Sequence, residues 1–438
     1  MTSIPLHQRT VNGNRVLEQA LEKGMVALQR TMCQYITMWL DEAVTCLLGR
    51  ALYVRRCRIS RWLEQNACCP RCGTRISRRF SRNGSRARTL HFLDFSLEFR
   101  LPRVACECGG SVRLDWGGLI RPYQRLADQF DEQVARWASM CVSLRQMQRE
   151  LAHFHIGPVG MSTLLKRLHQ FEQLTPHIDV AHVPPVLQID AIWITQLRPN
   201  GRVQRDAKGR RRQVKGRFKR PVLIAMGVWP DTGHTEILAW QLGESEDTQT
   251  WMHFLTHIEA QGVSAQHGLE LIIHDGCGGL CSALKTVYYD VDSQRCLFHK
   301  LRNIGRALRF PAHWSAQQRA RKRRAILKDF RSIWQAKHYR TVLRRYLKVC
   351  RKYRLSQPAA VATLRRDFRS TLTYYLMLAQ HPSWKPQRLR TTSHLERFNR
   401  SLRQHARAAA AYHSDAGILA MIALQVCSFN QRLYSQLV

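Results

Sequence analysis

Acidic residues and long apolar runs are both scarce in this chain of 438 residues. Asp and Glu total 31 against 69 Lys and Arg, which gives a formal net charge of +38 at pH 7. An excess of this size attracts polyanions, because each phosphate that a cation neutralises releases condensed counterions. The charge therefore predicts a nucleic-acid partner, and it leaves a ribosome-associated or simply very soluble protein as the alternative.

The missing apolar runs exclude a membrane-spanning protein. The best run, 222–229, has the length of a strand, whereas a helix needs about 18 apolar residues to cross a bilayer. Residues 1–10 lack the apolar core of a secretion signal. The 14 cysteines are too sparse for a small disulfide scaffold. We therefore expect a protein of a reducing cytoplasm without a membrane partner.

The length allows several folded units, since one hydrophobic core seldom serves a chain of this size. Changes in residue pattern along the chain predict six parts. They are a helical region (1–60), a zinc ribbon (61–118), a helical segment with a helix-turn-helix (119–178), a first α/β part (184–299), a basic all-α insertion (300–388) and C-terminal helices (389–438).

Strand-like segments alternate with helical ones between 184 and 299. Strands are expected over 186–195, 221–229, 235–242, 269–274 and 295–298, and helices over 247–260 and after the glycine-rich turn up to 284. Three consecutive strands followed by strands that alternate with helices predict a mixed sheet. The predicted fold class is therefore α/β and multidomain, with a mixed sheet that helices flank.

Two close cysteine pairs, each followed by glycine, stand in the segment 61–118. Cys69 and Cys72 form a C-x-x-C pair, Cys106 and Cys108 form a C-x-C pair, and Cys68 is a substitute ligand. Zinc takes four thiolates in a tetrahedron, and glycine permits the sharp turns that place them. The pairs predict a structural Zn²⁺ site, and a set of incidental thiols is the alternative.

A helix-turn-helix is predicted over 143–169. The segment 143–151 has the pattern of a short helix, 155–160 that of a turn, and Ser162 that of an N-cap. The second helix offers Lys166 and Arg167 to DNA. Any corner between two helices shows the same pattern, which is the alternative.

Three carboxylates fall at informative places. Asp190 lies inside an apolar strand, where an unpaired acid is costly. Asp275 ends another apolar strand just before a glycine-rich turn, and Glu396 lies on a helix that Thr392 or Ser393 is expected to cap. Adjacent parallel strands present such positions on one rim, and a docked helix adds the third acid. Because clustered carboxylates repel unless cations bind between them, the pattern predicts a site for two Mg²⁺ (or Mn²⁺) ions.

Each acid also has a plainer interpretation. Asp190 fits a strand residue satisfied by backbone donors, and Glu396 fits a surface residue paired with Arg400 one helical turn away. Only the three acids together, with the motifs between them, favour catalysis.

The order of these acids and motifs resembles that of the Mutator-type transposases of bacterial insertion sequences. After Asp190 and Asp275 come Gln294-Arg-Cys296-Leu-Phe-His299-Lys-Leu-Arg302-Asn303 and then Thr391-Thr-Ser-His-Leu-Glu396-Arg397-Phe-Asn399-Arg400. The C-x-x-H element about twenty residues after the second acid is the most specific part of the resemblance. The matching segments span 186 to about 407, roughly half of the chain.

The resemblance implies an RNase H-like catalytic domain with a D-D-E triad, which cuts DNA at element ends and joins 3′-hydroxyls to target DNA. The triad would be Asp190, Asp275 and Glu396. Cys296 and His299 would be an accessory pair that shapes the site or contacts DNA rather than binding metal. Further accessory residues would be Asn303, Arg397 and Asn399.

The same resemblance implies double-stranded DNA as partner, both the terminal repeats and the target, and a homo-oligomer associated with a bacterial nucleoid. The C-x-C pair and Ser393, where Asn is common, depart from the family pattern without touching the triad. Two other functions remain open: an RNase H-like nuclease without strand transfer, and a zinc-ribbon DNA-binding regulator whose catalytic domain is inactive.

Positive charge concentrates in two segments. Residues 300–370 contain 22 Lys or Arg and two acids, a net charge of +20, and residues 202–220 contain ten basic residues against Asp206. Aromatic residues interleave with the bases of 300–370, which favours helices with one packed and one phosphate-facing side. The residues expected to contact DNA are Arg321, Lys322, Arg323 and Arg324 in the insertion, and Arg210, Arg211 and Arg212 between the first two strands.

Overall fold

The computed structural model describes residues 6–48, 58–75, 77–92, 95–116, 125–153, 159–174, 176 and 178–430. The chain forms two compact units, the first from Met1–Trp137 and Leu144–Arg167 and the second from Ala138–Ser143 and Leu168–Val438. Within the described ranges, no helix combines the length and the apolar character needed to cross a membrane. The division into six parts remains a prediction.

The first unit pairs a long helix with a small antiparallel sheet. Its elements are α1 (Leu6–Leu47), α2 (Arg58–Asn66), β1 (Phe80–His91), β2 (Ser96–Cys106), β3 (Ser111–Val112), α3 (Gln129–Ser139), α4 (Leu144–His153) and α5 (Met161–His169). The strands lie in the order β1-β2-β3. Leu40 and Leu63 from the helices pack with Phe99 and Val104 from β2 in one core, so the sheet buries one face against α1 and α2.

Two sequence predictions in this unit lie partly outside the described residues. The helix expected near the N-terminus is confirmed as far as Leu47, and residues 49–57 are not described. Helices α4 and α5 match the two predicted helices of the helix-turn-helix. Because α5 begins at Met161, Ser162 lies inside the helix and its prediction as the N-cap is wrong. Residues 154–158 of the turn between the helices fall outside the described ranges.

The second unit is a mixed sheet with helices on both faces, so the predicted α/β class is confirmed. Its elements are β4 (Val186–Arg205), β5 (Arg211–Val228), β6 (Thr235–Leu242), α6 (Thr248–Ala260), β7 (Leu271–His274), α7 (Gly278–Val287), β8 (Asp292–Arg295), α8 (Leu297–Ala307), α9 (Ala316–Ser332), α10 (Tyr339–Tyr353), α11 (Pro358–Arg365), α12 (Thr373–Gln380), α13 (Pro386–Leu389), α14 (Ser393–Ala409) and α15 (Asp415–Phe429).

Strand β4 is the centre of this sheet. The strand order is β6-β5-β4-β7-β8, with β4 antiparallel to β5 and parallel to β7. Successive side chains of a strand point to opposite faces. Leu187 and Ile189 accordingly enter the core that contains α6 and α7, while Ile192 and Ile194 enter the core that contains α14. Asp190 is two residues from Ile192 and therefore lies on the same face of β4, the face that packs against α14.

The structure corrects the sequence prediction at two places. The strand predicted over 295–298 is wrong: β8 covers Asp292–Arg295, and α8 begins at Leu297. The basic segment 202–220 is not a connection between two short strands. Instead, β4 and β5 continue through it as a two-stranded ribbon, paired up to Arg205 and Arg211, with a register shift between Pro199 and Val203. The backbones of β4 and β5 therefore pair well beyond the apolar residues from which the two strands were predicted.

Candidate functional site

Asp190 lies near the middle of β4 and is almost fully buried, with 6% of its surface exposed. The parallel pairing of β4 with β7 ends with Ile189 opposite His274. Asp190 and Asp275 each come directly after this last pair, so they lie side by side, as the sequence pattern predicted.

Asp275 caps the turn after β7. Its Oδ1 accepts a hydrogen bond of 2.8 Å from the backbone N–H of Cys277, just before α7 begins. It lies close enough to Asp190 for its charge to raise the pKa of that carboxyl. Another acid, Glu246, was not singled out from the sequence, and the charge of Asp275 acts on it as well. Burial raises the pKa of Glu246 and the charge of Asp275 adds to the increase, while Trp193 Nε1 lies 3.2 Å from its Oε2.

Glu396 and His299 complete the group around Asp190. Each of the three residues offers one ligand atom, and these atoms lie within 4.8 Å of one another. His299 Nε2 lies 3.2 Å from Glu396 Oε1. Asp275 is not a member of this group of three among the described residues. His299, which was expected to stay outside the metal-binding set, is therefore placed with two of the acids.

The electrostatics follow from burial and from His299. Burial raises the pKa of Asp190 to about 7, and the neighbouring Asp275 and Glu396 carboxylates add to the increase. Burial alone would lower the pKa of His299, but hydrogen bonds to Cys296 and Glu396 outweigh it and raise that pKa to about 10. The hydrogen bond from His299 in turn lowers the pKa of Glu396. A protonated His299 therefore supplies positive charge that offsets the acids.

Gln188 connects β4 to α14, a contact that no pattern in the sequence predicted. Its side chain is fully buried. Its Nε2 donates to the carbonyl oxygen of Thr391 at 3.2 Å, and its Oε1 accepts from the backbone N–H of Leu395 at 3.2 Å. One amide thus positions the first turn of the helix that carries Glu396.

Asn399 makes a second connection between α14 and β4. Its Nδ2 donates to Asp190 Oδ2 at 2.9 Å, and the residue is fully buried. Its Oδ1 is buried without a hydrogen-bond partner in the part of the chain that the structure describes. Carboxylate and amide oxygens are the ligand types that a hard divalent cation prefers.

Cys296 joins the start of α8 to the start of α14. Its Sγ lies 3.4 Å from both the backbone nitrogen and the Oγ1 of Thr392. Thr392 occupies the N-cap position of α14 as predicted, but its side chain makes no capping hydrogen bond. The hydroxyl contacts the buried thiol instead, so the expected side-chain cap is wrong for Thr392, and Ser393 is the first helical residue rather than the cap.

The remaining accessory residues differ in their surroundings. Asn303 is half-buried on α8, and Arg397 is exposed on α14. Besides His299, Glu396 pairs with Arg403, whose Nη1 lies 3.4 Å from Glu396 Oε2, rather than with the Arg400 that helical spacing suggested. Arg403 lies two turns along the helix, and no local signal distinguishes it from the other arginines of α14.

The four predicted cysteines of the first unit converge. One ligand atom each from Cys69, Cys72, Cys106 and Cys108 lies within 4.8 Å of the others. The Sγ atoms of Cys69 and Cys108 are 3.6 Å apart, and those of Cys72 and Cys106 are 3.7 Å apart. Cys68, the suggested substitute, is not part of this group in the described ranges.

Glycine makes this convergence of thiols sterically feasible. Gly73 and Gly109 each follow a cysteine pair and adopt positive φ angles of 70° and 79°. A Cβ atom on Gly110 would lie 2.8 Å from Cys69 Sγ and 3.3 Å from Cys108 Sγ. A side chain at Gly110 would therefore displace the thiols.

The predicted DNA-contacting residues are mostly exposed. Arg321, Lys322, Arg323 and Arg324 form a solvent-facing turn of α9, and Arg210, Arg211 and Arg212 lie near the end of the β4–β5 ribbon. Arg210 and Arg212 both pair with Asp206 in the ribbon turn. In the first unit, Lys166 is exposed, whereas Arg167 is engaged by Asp131 at 2.7 Å.

Comparison with known proteins decides the family. A family model described as "Transposase, Mutator family" matches residues 70–432. The chain belongs to the Mutator family of transposases. The resemblance seen in the sequence is thereby confirmed.

Several bacterial transposases are similar to this one. The transposase for insertion sequence element IS1201 of Lactobacillus helveticus is 22% identical, and the match covers 92% of this chain and 94% of the length of that transposase. The transposase for IS406 of Burkholderia multivorans is 32% identical, and the match covers 50% of this chain and 52% of the length of that transposase. The solved Drosophila P element transposase strand transfer complex matches 72% of this chain and 94% of its own at 9% identity, with a TM-score of 0.39, which is too low to support a conclusion.

Replacement of Gln188 by Leu tests the positioning of α14 in this transposase. The change leaves the Thr391 carbonyl and the Leu395 N–H buried without partners, which should lower the free energy of unfolding by about 1–3 kcal/mol. We expect transposition to fall further than the stability loss explains, since the helix bearing Glu396 is released. Urea unfolding and a transposition assay below the unfolding temperature measure the two effects.

Gln294→Leu is the matched control. Gln294 is also a fully buried strand amide, and it bonds to the backbone of Tyr374 and Arg295 rather than to α14. It should cost similar stability with a smaller loss of transposition. Equal losses of activity in the two variants would show that Gln188 has no special role.

Proposed function

We propose that this transposase cuts the ends of an insertion sequence and joins the 3′-hydroxyls to target DNA at Asp190, Asp275 and Glu396, within an RNase H-like catalytic domain. The observation that carries the proposal is the convergence of one buried and two partly buried acids from distant parts of the chain. Asp190 and Glu396 share one group with His299, and Asp275 ends the adjacent parallel strand. Such a site, on a transposase, fits a D-D-E active centre.

A pair of Mg²⁺ or Mn²⁺ ions is the cofactor that fits this donor set. The three carboxylates, with the unsatisfied Asn399 Oδ1 beside Asp190, offer the oxygen ligands that hard cations prefer. Bound there, the ions would supply Lewis-acid stabilisation of the attacking and leaving oxygens. His299 is a further ligand candidate because of its place in the group, although its contact with Glu396 must then loosen.

The protein's own groups perform the positioning. Asn399 orients Asp190, Gln188 and Cys296 hold the start of α14, and Arg403 neutralises the outer oxygen of Glu396. In cleavage, water attacks a phosphodiester and releases a 3′-hydroxyl. In joining, that hydroxyl attacks a target phosphodiester, so that one P–O bond forms as another breaks and no protein–DNA covalent bond is needed.

Asp190→Asn tests this assignment. The change keeps the shape of the side chain and its place beside Asn399 but removes the charge, so cleavage and joining should both fall by at least about 10²-fold, the scale on which loss of one electrostatic contributor slows an enzyme. Glu259→Gln, on the exposed side of α6, is the control and should leave both steps unchanged. Gel assays with labelled element ends and a pre-cleaved 3′-hydroxyl substrate separate the two steps.

The same assay distinguishes the other functions. Cleavage without joining of the pre-cleaved end would identify a nuclease. A regulator with an inactive domain predicts no chemistry in the wild-type protein and no effect of Asp190→Asn on its action.

Metal binding should also depend on pH. The pKa of Asp190 is raised to about 7, so its carboxyl is largely protonated below that pH and cannot bind a cation well. Affinity for Mn²⁺ should therefore rise as the pH increases through about 7, and Asp190→Asn should remove much of this dependence. Electron paramagnetic resonance of free Mn²⁺ measures it, and a flat profile in the wild-type protein would contradict the assignment.

The cysteine cluster of the first unit is proposed to bind one structural Zn²⁺, as a zinc ribbon. Four thiols within ligand reach and glycines that allow their approach match a closed tetrahedral site. Thr74 lowers the pKa of Cys72 to about 6 through side-chain and backbone hydrogen bonds, which favours a thiolate at that residue. The hydrogen bond from the Gly110 backbone alone would lower the pKa of Cys108, but the Cys72 thiol and burial outweigh it and raise that pKa.

Metal analysis of the purified chain tests the zinc proposal. We expect one zinc per chain, its loss in Cys106→Ser, and a large drop in the unfolding temperature of the first unit, since a structural zinc site contributes folding energy directly. Cys68→Ser is the matched control, because that thiol lies beside the cluster but outside it, and it should retain the metal. Zinc retained in Cys106→Ser would contradict the proposed ligand set.

DNA is proposed to contact two basic surfaces of the second unit. One is the exposed turn Arg321, Lys322, Arg323 and Arg324 of α9, and the other is the ribbon around Arg211, because a two-stranded ribbon fits the major groove. In the first unit, Lys166 is the exposed candidate. Because two element ends must be brought together for joining, we further propose a homo-oligomer on DNA.

Reversal of charge at Arg321 to Arg324 should weaken DNA binding and flatten its salt dependence. The log–log slope should fall by about 0.9 for each DNA phosphate that these side chains no longer neutralise. Mn²⁺ affinity, which depends on the acidic group instead, is the internal control and should not change. Fluorescence anisotropy at several salt concentrations gives the slope, and an unchanged slope would exclude this surface from DNA contact.

A further inference from the structure

A cavity of about 850 Å³ lies between α9, α10 and the segments that precede α9 and follow α10, within the basic helical region that separates Asp275 from Glu396 in the sequence. Phe310, Trp314, Lys322, Lys328, Asp329 and Tyr353 are among its lining residues. Its volume falls in the range of about 300–1,000 Å³ that is usual for small-molecule sites. None of these residues belongs to the acidic group around Asp190.

One wall of the cavity is aromatic. The rings of Phe310 and Trp314 stack with centroids 6.0 Å apart and planes inclined by 24°. Both side chains are only partly buried although they are large and apolar. A flat apolar surface that is left partly open in this way is suited to a third flat ring, such as a nucleobase.

The segment that carries this wall is held in place from both sides. Gln357 accepts from the backbone N–H of Arg309 at 3.0 Å and donates to the carbonyl of the same residue at 2.8 Å. At the other end, Ser315 and Gln318 form a reciprocal capping box that begins α9. The aromatic wall is therefore organised before any ligand binds, which reduces the entropy cost of binding.

The lining of the cavity is also positively charged. Lys322 and Lys328 line it and are exposed. Its one acid, Asp329, is already engaged, because Lys352 Nζ and Tyr353 Oη each donate to its Oδ2 at 2.6 Å. The cavity therefore carries a net positive charge next to a stacking surface.

We propose that this cavity binds a nucleotide, with the base stacked on Phe310 and Trp314 and the phosphate held by Lys322 and Lys328. A paired base inside a duplex cannot reach such a wall, so the nucleotide is an unpaired one. It comes either from the DNA strand next to the cut or from a free nucleotide in solution. The DNA source rests on the proposed function of the acidic group, whereas the free-nucleotide source is independent of it.

Binding measurements on the full-length protein without divalent ions test the cavity. The probes are a blunt duplex, the same duplex with a single-stranded 3′ extension of deoxythymidines, and dAMP as the free nucleotide. We expect the extension to strengthen binding, and Trp314→Ala to reduce that gain about ten-fold, since stacking of one base on an aromatic side chain contributes on this scale. Lys328→Glu should act in the same direction, while Trp314→Phe should retain most of the affinity.

Matched variants on the neighbouring helix α10 control for general effects. Tyr339→Ala removes an exposed aromatic residue of α10, and Lys348→Glu reverses an exposed charge on α10. Neither residue lines the cavity, so neither variant should change the gain from the extension. Thermal unfolding shows whether Trp314→Ala is folded, and Trp314→Phe keeps the test valid if it is not.

The outcomes separate the two sources. A gain from the extension that depends on Trp314 and Lys328 supports the cavity as a site for an unpaired DNA nucleotide. Binding of dAMP that depends on the same residues, without a gain from the extension, supports a free nucleotide. If neither probe depends on Trp314 and Lys328, the proposal is overturned. Because chemistry is not measured, that failure would leave the assignment of Asp190, Asp275 and Glu396 unaffected.

Discussion

The burial of Asp190 beside other carboxylates is the constraint on which the second unit depends. A charged group removed from water is costly, and like charges nearby make it more so. The structure meets this cost locally, with a hydrogen bond from Asn399 to Asp190 and an ion pair between His299 and Glu396. The raised pKa of Asp190 shows that these contacts compensate only in part. A site that remains electrostatically unsatisfied in this way is suited to bind cations.

The same constraint explains why segments that are far apart in the sequence contact one another directly. Gln188 on β4 contacts residues 391 and 395, and Cys296 contacts Thr392. The helices α8 to α13 lie between these partners in the sequence. The start of α14 is attached to the sheet and to α8 directly, so these contacts position Glu396 together with the core that α14 shares with the insertion helices. A few buried polar contacts, rather than the apolar core alone, set the geometry of the acids.

The positive charges lie mainly on exposed surfaces, where they can attract a polyanion without preventing the chain from folding. The net charge of +20 in residues 300–370 is carried largely by exposed faces of helices. Their inner faces contribute Ile326, Phe330, Val342 and Val349 to the same core as β4. Like charges on the outer faces repel one another, and the buried aromatic and aliphatic side chains offset that repulsion. The ribbon formed by β4 and β5 places most of the second basic segment away from any core, where its charges stay hydrated, and Arg220 at its end is the buried exception.

The sequence by itself determined the mixed α/β class, most of the strands, the order of the three acids and the four clustered cysteines. These features are local or depend on spacing: apolar runs mark strands, glycine marks turns, and adjacent parallel strands bring Asp190 and Asp275 together. Only the tertiary structure decided that Gln188 and Asn399 hold α14, that Arg403 rather than Arg400 pairs with Glu396, that Arg167 pairs with Asp131, and that His299 joins the acids. Each of these contacts joins polar side chains whose partners depend on how helices and strands pack in three dimensions, and neither residue type nor spacing along the chain specifies that packing.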